Sequence, residues 1–187
     1  MKQRTKSLII IAAIIATALP LMAQRKRASP HETISATVDG SKVTIIYGRP
    51  YSKSPRGGEL RKIWGTLVPY GKVWRTGADE ATLLITEQPI VMGELTIPAG
   101  TNSLFTYPVE SGASKLIINK RTGQWGIPYN EESEAKNELG RVDMKKETLD
   151  KSVDQFTMAI EPSAAGGGVI KLMWETTQFS VPFTVKK

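Results

Sequence analysis

Arg49 and Arg75 are the side chains whose neighbours in the sequence best suit them to hold a ligand. A guanidinium presents a rigid fork of N–H donors that matches a carboxylate, a phosphate or a pair of vicinal hydroxyls. Pro50 keeps Arg49 extended, and Gly77 supplies a tight turn just after Arg75, so the two forks are expected to converge. Around them stand Tyr47, Trp64, Trp74 and Trp125, each offering an aromatic face of the kind that completes a sugar or small-ligand site. With Glu80 as the adjacent carboxylate, the candidate binding set is Tyr47, Arg49, Trp74, Arg75 and Glu80. Its expected ligand is small and acidic or hydroxyl-rich, a carbohydrate or envelope component. The same residues admit a structural reading, in which Arg75 pairs internally with Asp79 or Glu80 and the tryptophans belong to the core.

Catalytic chemistry is scarce. With no cysteine in the chain there is no disulfide, no thiolate metal site and no cysteine nucleophile. His31, the only histidine, lies beside the N-terminal tether, so a Ser-His-acid triad or a multi-histidine metal centre is very hard to build. Asp79 and Glu80 are neighbours, and on an extended chain neighbouring side chains point to opposite faces. A hydrolase acting on carbohydrate or cell-envelope material would have to set Glu80 against a distant acid such as Glu161 or Glu175, about 5–9.5 Å away. No Asp-x-Asp-x-Asp-Gly calcium loop is present. No catalytic residue, metal ligand or cofactor is therefore assigned. The net charge of +7 includes Lys2, Arg4 and Lys6 at the extreme N-terminus, and the remaining excess sits in Arg25-Lys26-Arg27 and in the stretch from Lys53 to Lys62. Such loops and tails are solvated without a nucleic-acid partner, and none is expected.

The elements that must position these residues follow from periodicity. Met1 to Ala23 has the order of a secretory signal: a basic start, an apolar run from Leu8 to Leu19 broken by Pro20, then small residues. That run is shorter than the roughly 20 residues a bilayer requires. Cleavage is expected after Ala23, with Ala16-Thr17-Ala18 as the alternative, and the product is expected outside the cytoplasm, periplasmic or secreted. Membrane contact is limited to the transient leader. Residues 24–29 read as a basic tether and residues 30–187 as one domain.

Within that domain the side chains alternate with period two. Thr33–Val38 and Val43–Tyr47 flank Asp39-Gly40, a hairpin turn pair. Short runs follow at Thr82–Thr86, Pro89–Met92, Glu94–Ile97, Asn102–Tyr107, Lys115–Asn119 and Arg141–Lys145. Phe156 to Ile160, Ile170 to Trp174 and Phe179 to Val185 complete the set, with Gly166-Gly167-Gly168 as a hairpin loop. About ten strands with regular turns predict an all-β antiparallel sandwich or jelly roll. Pro182 cannot donate to a ladder, so Phe179–Val185 is expected at a sheet edge, where it offers a route to a homo-oligomer or a scaffold role through strand addition. Helix is expected only at Glu59–Trp64 and at Glu132–Leu139, the latter capped by Gly140.

Three blocks carry a family likeness: Tyr47-Gly48-Arg49-Pro50, the long run Val68-Pro69-Tyr70-Gly71-Lys72-Val73-Trp74-Arg75-Thr76-Gly77-Ala78-Asp79-Glu80-Ala81-Thr82, and Ile97-Pro98-Ala99-Gly100-Thr101-Asn102-Ser103-Leu104-Phe105. Together with Trp125-Gly126 and Trp174-Glu175-Thr176 they resemble the bacterial family called domain of unknown function 2911, over most of Ser29 to Lys187. The resemblance implies a secreted, mainly β domain and supplies no activity, substrate or catalytic residue. Asp79 stands where similar sequences often have asparagine.

Overall fold

The computed structural model describes residues 27–187; the expected leader and the first three residues of the expected tether lie outside the described residues. Six strands form one sheet: β1 (His31–Val38), β2 (Ser41–Gly48), β3 (Thr82–Thr86), β6 (Gly100–Tyr107), β7 (Lys115–Asn119) and β8 (Glu138–Asp143), in the order β1-β2-β3-β6-β7-β8. The second sheet holds β4 (Ile90–Met92), β5 (Leu95–Ile97), β9 (Lys145–Pro162) and β10 (Gly168–Val185), in the order β5-β4-β10-β9. All pairings between these strands are antiparallel, and the mainly β expectation holds. The inward residues of the first sheet, among them Val43, Ile45, Leu84, Leu104 and Ile118, meet Ile90, Met92, Phe156, Ile170 and Val181 of the second in one apolar core. Each side chain of this size buried there contributes about 1.5–3 kcal/mol.

Asp39 and Gly40 both take positive φ, 47° and 81°, and close the β1–β2 hairpin as the dipeptide predicts. The tip is also tied to the other sheet, because the Asp39 Oδ2 accepts from the Gly167 N–H at 2.7 Å. That places Gly166 and Gly167 in the β9–β10 loop, as expected.

The two last hydrophobic runs turn out to be one strand. In β10 the buried hydrophobic positions are even-numbered from Ile170 to Trp174 and odd-numbered from Phe179 to Val185. The change of parity falls around Glu175, whose φ of 52° breaks the alternation of β10; the register with β9 slips twice there, with the extra residues on β9. A strand whose alternation changes face partway looks in a sequence like two strands. The edge assignment of Phe179–Val185 needs correcting as well, since β10 lies between β4 and β9. Pro182 is accommodated because pairing with β9 ends at Ser180 and pairing with β4 begins at Thr184, leaving its position with no ladder bond to donate.

Both helix expectations also need correction. Glu59–Trp64 is irregular: Ser54 N–H donates to the Glu59 carbonyl at 2.8 Å and Arg61 N–H to the Ser52 carbonyl at 3.0 Å, so these backbone groups are already paired across a loop. Six residues are too few for a helix to compete with that pairing and with burial of Ile63. Glu132–Leu139 is shortened to α1 (Glu131–Glu134), capped by Asn130, and a single 3-10 turn. Gly140 is not a cap; it pairs with Ile118 inside β8, sheet bonding having taken the residues that helix propensity claimed.

Candidate functional site

Between β2 and β3 the chain leaves the sheets for a long irregular excursion over residues 49–81, closed only by isolated bridges such as Trp74↔Thr106 and Tyr51↔Gln155. Such a loop persists because it drives apolar side chains into the open end of the sandwich. Trp74 stacks on Trp174 with ring centroids 5.9 Å apart, edges onto Phe156 at 5.0 Å and onto Trp64 at 6.1 Å. The Trp74 indole N–H donates to the Gly77 carbonyl at 3.1 Å, and the Trp174 indole N–H donates to the Ser52 hydroxyl at 3.0 Å. Two glycines let the backbones close up. A Cβ on Gly48 would lie 2.2 Å from the Ala78 carbonyl oxygen, and one on Gly126, whose φ is 97°, would lie 2.8 Å from the Arg75 Cβ.

Above this aromatic floor lies a cleft of about 270 Å³ lined from the excursion, from Trp125 and Ile127, and from Trp174 beneath. Its rim is unusually apolar. Of the five large hydrophobic side chains exposed among the described residues, four line it: Tyr51, Leu67, Trp125 and Ile127. Trp125 is 57% exposed, whereas Trp74 is 9% exposed. The exposed indole of the cleft is therefore Trp125, and the Trp74 ring is mostly core.

Arg75 reaches the cleft half-buried. Its guanidinium donates to the Trp125 carbonyl at 2.9 Å and to the Asp79 carbonyl, and its Cζ lies 5.6 Å from the centre of the Trp125 ring. Burial lowers its pKa from the ordinary arginine value. Among the described residues no carboxylate comes within 4.0 Å of it, so the expected ion pair with Asp79 or Glu80 is replaced by a bond to a backbone carbonyl. Lys53 and Arg61 line the same cleft and share this lack of a carboxylate partner, while Arg61 donates to the Tyr51 carbonyl. Three cations and the single carboxylate of Asp79 thus surround the space. Lys53 and Arg61 were visible in the sequence only as part of a basic stretch; their convergence with Arg75 depends on the loop's path.

The other named residues lie elsewhere. Arg49 does not line the cleft. Its Nε donates to the Phe156 carbonyl at 3.1 Å and its Nη2 to the Thr157 hydroxyl at 2.8 Å, while its Nη1 stands 3.2 Å from the Glu32 carboxylate. This arginine bridges one sheet to the other. Tyr47 is buried on the same seam: its hydroxyl donates to Glu32 at 2.7 Å and accepts from the Met158 N–H at 2.9 Å, and burial pushes its phenol up to about 12.

Glu80 faces His31 and Arg27 rather than a carboxylate across a groove. The Arg27 guanidinium grips it at 2.5 and 2.9 Å, and that hydrogen bonding holds its carboxyl down at about 2, far below the range of a general acid. Asp79 is not extended; its φ is 65°, and this turn brings its carboxylate to the same side as that of Glu80. His31 Nε2 lies 3.3 Å from Asp79 and 3.4 Å from Glu80. The extended-chain argument that separated these two acids fails for that reason.

A two-sheet antiparallel sandwich with a cationic, aromatic-rimmed cleft built from loops at one end defines the class of protein. The chain belongs to the family described as protein of unknown function (DUF2911), whose model matches residues 29–183. Comparison with curated proteins and with solved structures found no match.

Proposed function

We propose that the protein is an extracytoplasmic binding module whose cleft takes a small acidic or hydroxyl-rich ligand, such as a carbohydrate or another envelope component. One observation carries this reading: the exposed hydrophobics gather at the rim of a cleft that also receives Arg75, a half-buried cation with no carboxylate partner among the described residues. Exposed apolar surface gathered in one place signals a contact surface, and an unneutralised guanidinium beside an exposed indole suits a ring carrying a carboxylate or vicinal hydroxyls. The leader sequence supports the compartment.

The test is a thermal-shift and tryptophan-fluorescence screen with acidic sugars, neutral sugars and envelope fragments. A ligand that binds the folded state raises the melting temperature with its concentration. Binding is expected to change the emission of Trp125 and to vanish in Trp125→Ala and Arg75→Ala. A binder that survives both substitutions places the site elsewhere, and no binder in any class removes the reading.

A further inference from the structure

We propose that His31, Asp79 and Glu80 form a divalent-cation site of the zinc type at the margin of the cleft, with Arg27 as a built-in cation that the metal displaces. The site is separate from the ligand reading above and does not depend on it.

The donor set is one imidazole nitrogen and two carboxylates, a combination that binds zinc and its neighbours in the first transition row. The spacing fits. His31 Nε2 is 3.3 Å from Asp79 Oδ2 and 3.4 Å from Glu80 Oε2, and all three donor atoms lie within 4.8 Å of one another. Zinc bonds of about 2.0–2.1 Å in tetrahedral geometry place neighbouring ligand atoms about 3.3–3.4 Å apart.

What occupies the centre is informative. The Arg27 Nη1 stands 2.7 Å from His31 Nε2, 2.5 Å from Glu80 Oε2 and 3.8 Å from Asp79 Oδ2. Arginine is only a donor, so in the tautomer that carries its proton on Nδ1 the His31 Nε2 turns its lone pair toward that nitrogen. Three acceptor atoms therefore converge and repel one another unless a positive charge sits between them. Arg27 supplies one positive charge against two carboxylates, and a dication would neutralise both.

The ligands are also fixed better than their present cation. His31 begins β1. Ala78 N–H donates to Gly48, Arg75 holds the Asp79 carbonyl, and Ala81 N–H donates to Gln124, so the backbone carrying both acids is pinned on either side. Arg27 lies ahead of β1 with its side chain half exposed, where it can withdraw. Asp79 also lines the cleft, and three protein ligands leave a tetrahedral metal one position for water.

The test uses purified protein without a histidine tag, stripped with a chelator and titrated with zinc by calorimetry, with metal content read by mass spectrometry. One zinc per chain is expected. Affinity should fall at least about tenfold in His31→Ala and in Glu80→Gln. Arg27→Ala should bind zinc more tightly, because it removes the competitor; a purely structural ion-pair cluster predicts no zinc in any variant. Thermal unfolding confirms that each variant is folded, and His31→Gln replaces His31→Ala if the latter is not. Absence of stoichiometric zinc, retention of full affinity without His31, weaker binding in Arg27→Ala, or preference for calcium or magnesium over zinc each overturns the assignment.

Discussion

Arg49 and Arg75 occupy similar places in the sequence, each within two residues of a glycine and each in a block with aromatic residues, yet the fold uses them differently. Arg49 lies on the seam between the sheets, where a carboxylate, a carbonyl and a hydroxyl take its donors. Arg75 lies at the open end, held by two carbonyls that orient it and leave its charge unneutralised. A satisfied cation ties secondary elements together. An oriented but unneutralised one is available to something else. The seam and the cleft therefore should respond differently to substitution, and four changes test that contrast.

Trp174→Ala should have the largest effect, about 3–5 kcal/mol in urea unfolding, because it empties the stacked ring beneath both regions and strips the Ser52 hydroxyl of its donor. Arg49→Ala comes next, at about 2–3 kcal/mol, since hydrogen bonds to a charged group and an ion pair are lost across the seam. The folded fraction of that variant should keep its ligand affinity; a loss of binding with unchanged stability would erase the distinction between the two arginines.

Tyr47→Phe should cost about 1–2 kcal/mol, because the Met158 N–H is left buried without its acceptor. It also sharpens the contrast through pH. Burial raises the Tyr47 phenol to about 12, above the ordinary value of about 10, so the native state retains a proton that the unfolded chain releases. The contribution is complete below about pH 10 and is lost as pH rises toward 12, and Tyr47→Phe should flatten stability over that window in chemical-denaturation series. The smallest stability change is expected for Arg75→Ala, about 1 kcal/mol or less, together with complete loss of binding. If calorimetric unfolding shows Arg75→Ala to be the more damaging of the two arginine variants, the cleft cation is structural.

Much of the framework was legible in the residues. The Asp39-Gly40 turn, the Thr82–Thr86 strand and the Lys115–Asn119 strand stand where alternation and turn chemistry put them. Gly77 takes the positive φ expected of it, although Thr76 and Asp79 also take positive φ and no local rule singles them out. Lys53, Arg61 and Ile127 were missed as parts of the cleft, because they come from separate stretches that only the loop's course brings side by side. His31 was set aside for its nearness to the tether, and it meets both acids because β1 begins beside the loop that carries them.

What the sequence determined by itself was the period of its side chains, and with it two antiparallel sheets around an oily interior, because alternation is a property of neighbouring residues. Tertiary structure alone decided that β10 runs unbroken through a change of face, that Arg49 clamps while Arg75 waits, and that an imidazole and two carboxylates share one point. Each of these depends on the distance between residues far apart in the chain, and no local spacing encodes that distance.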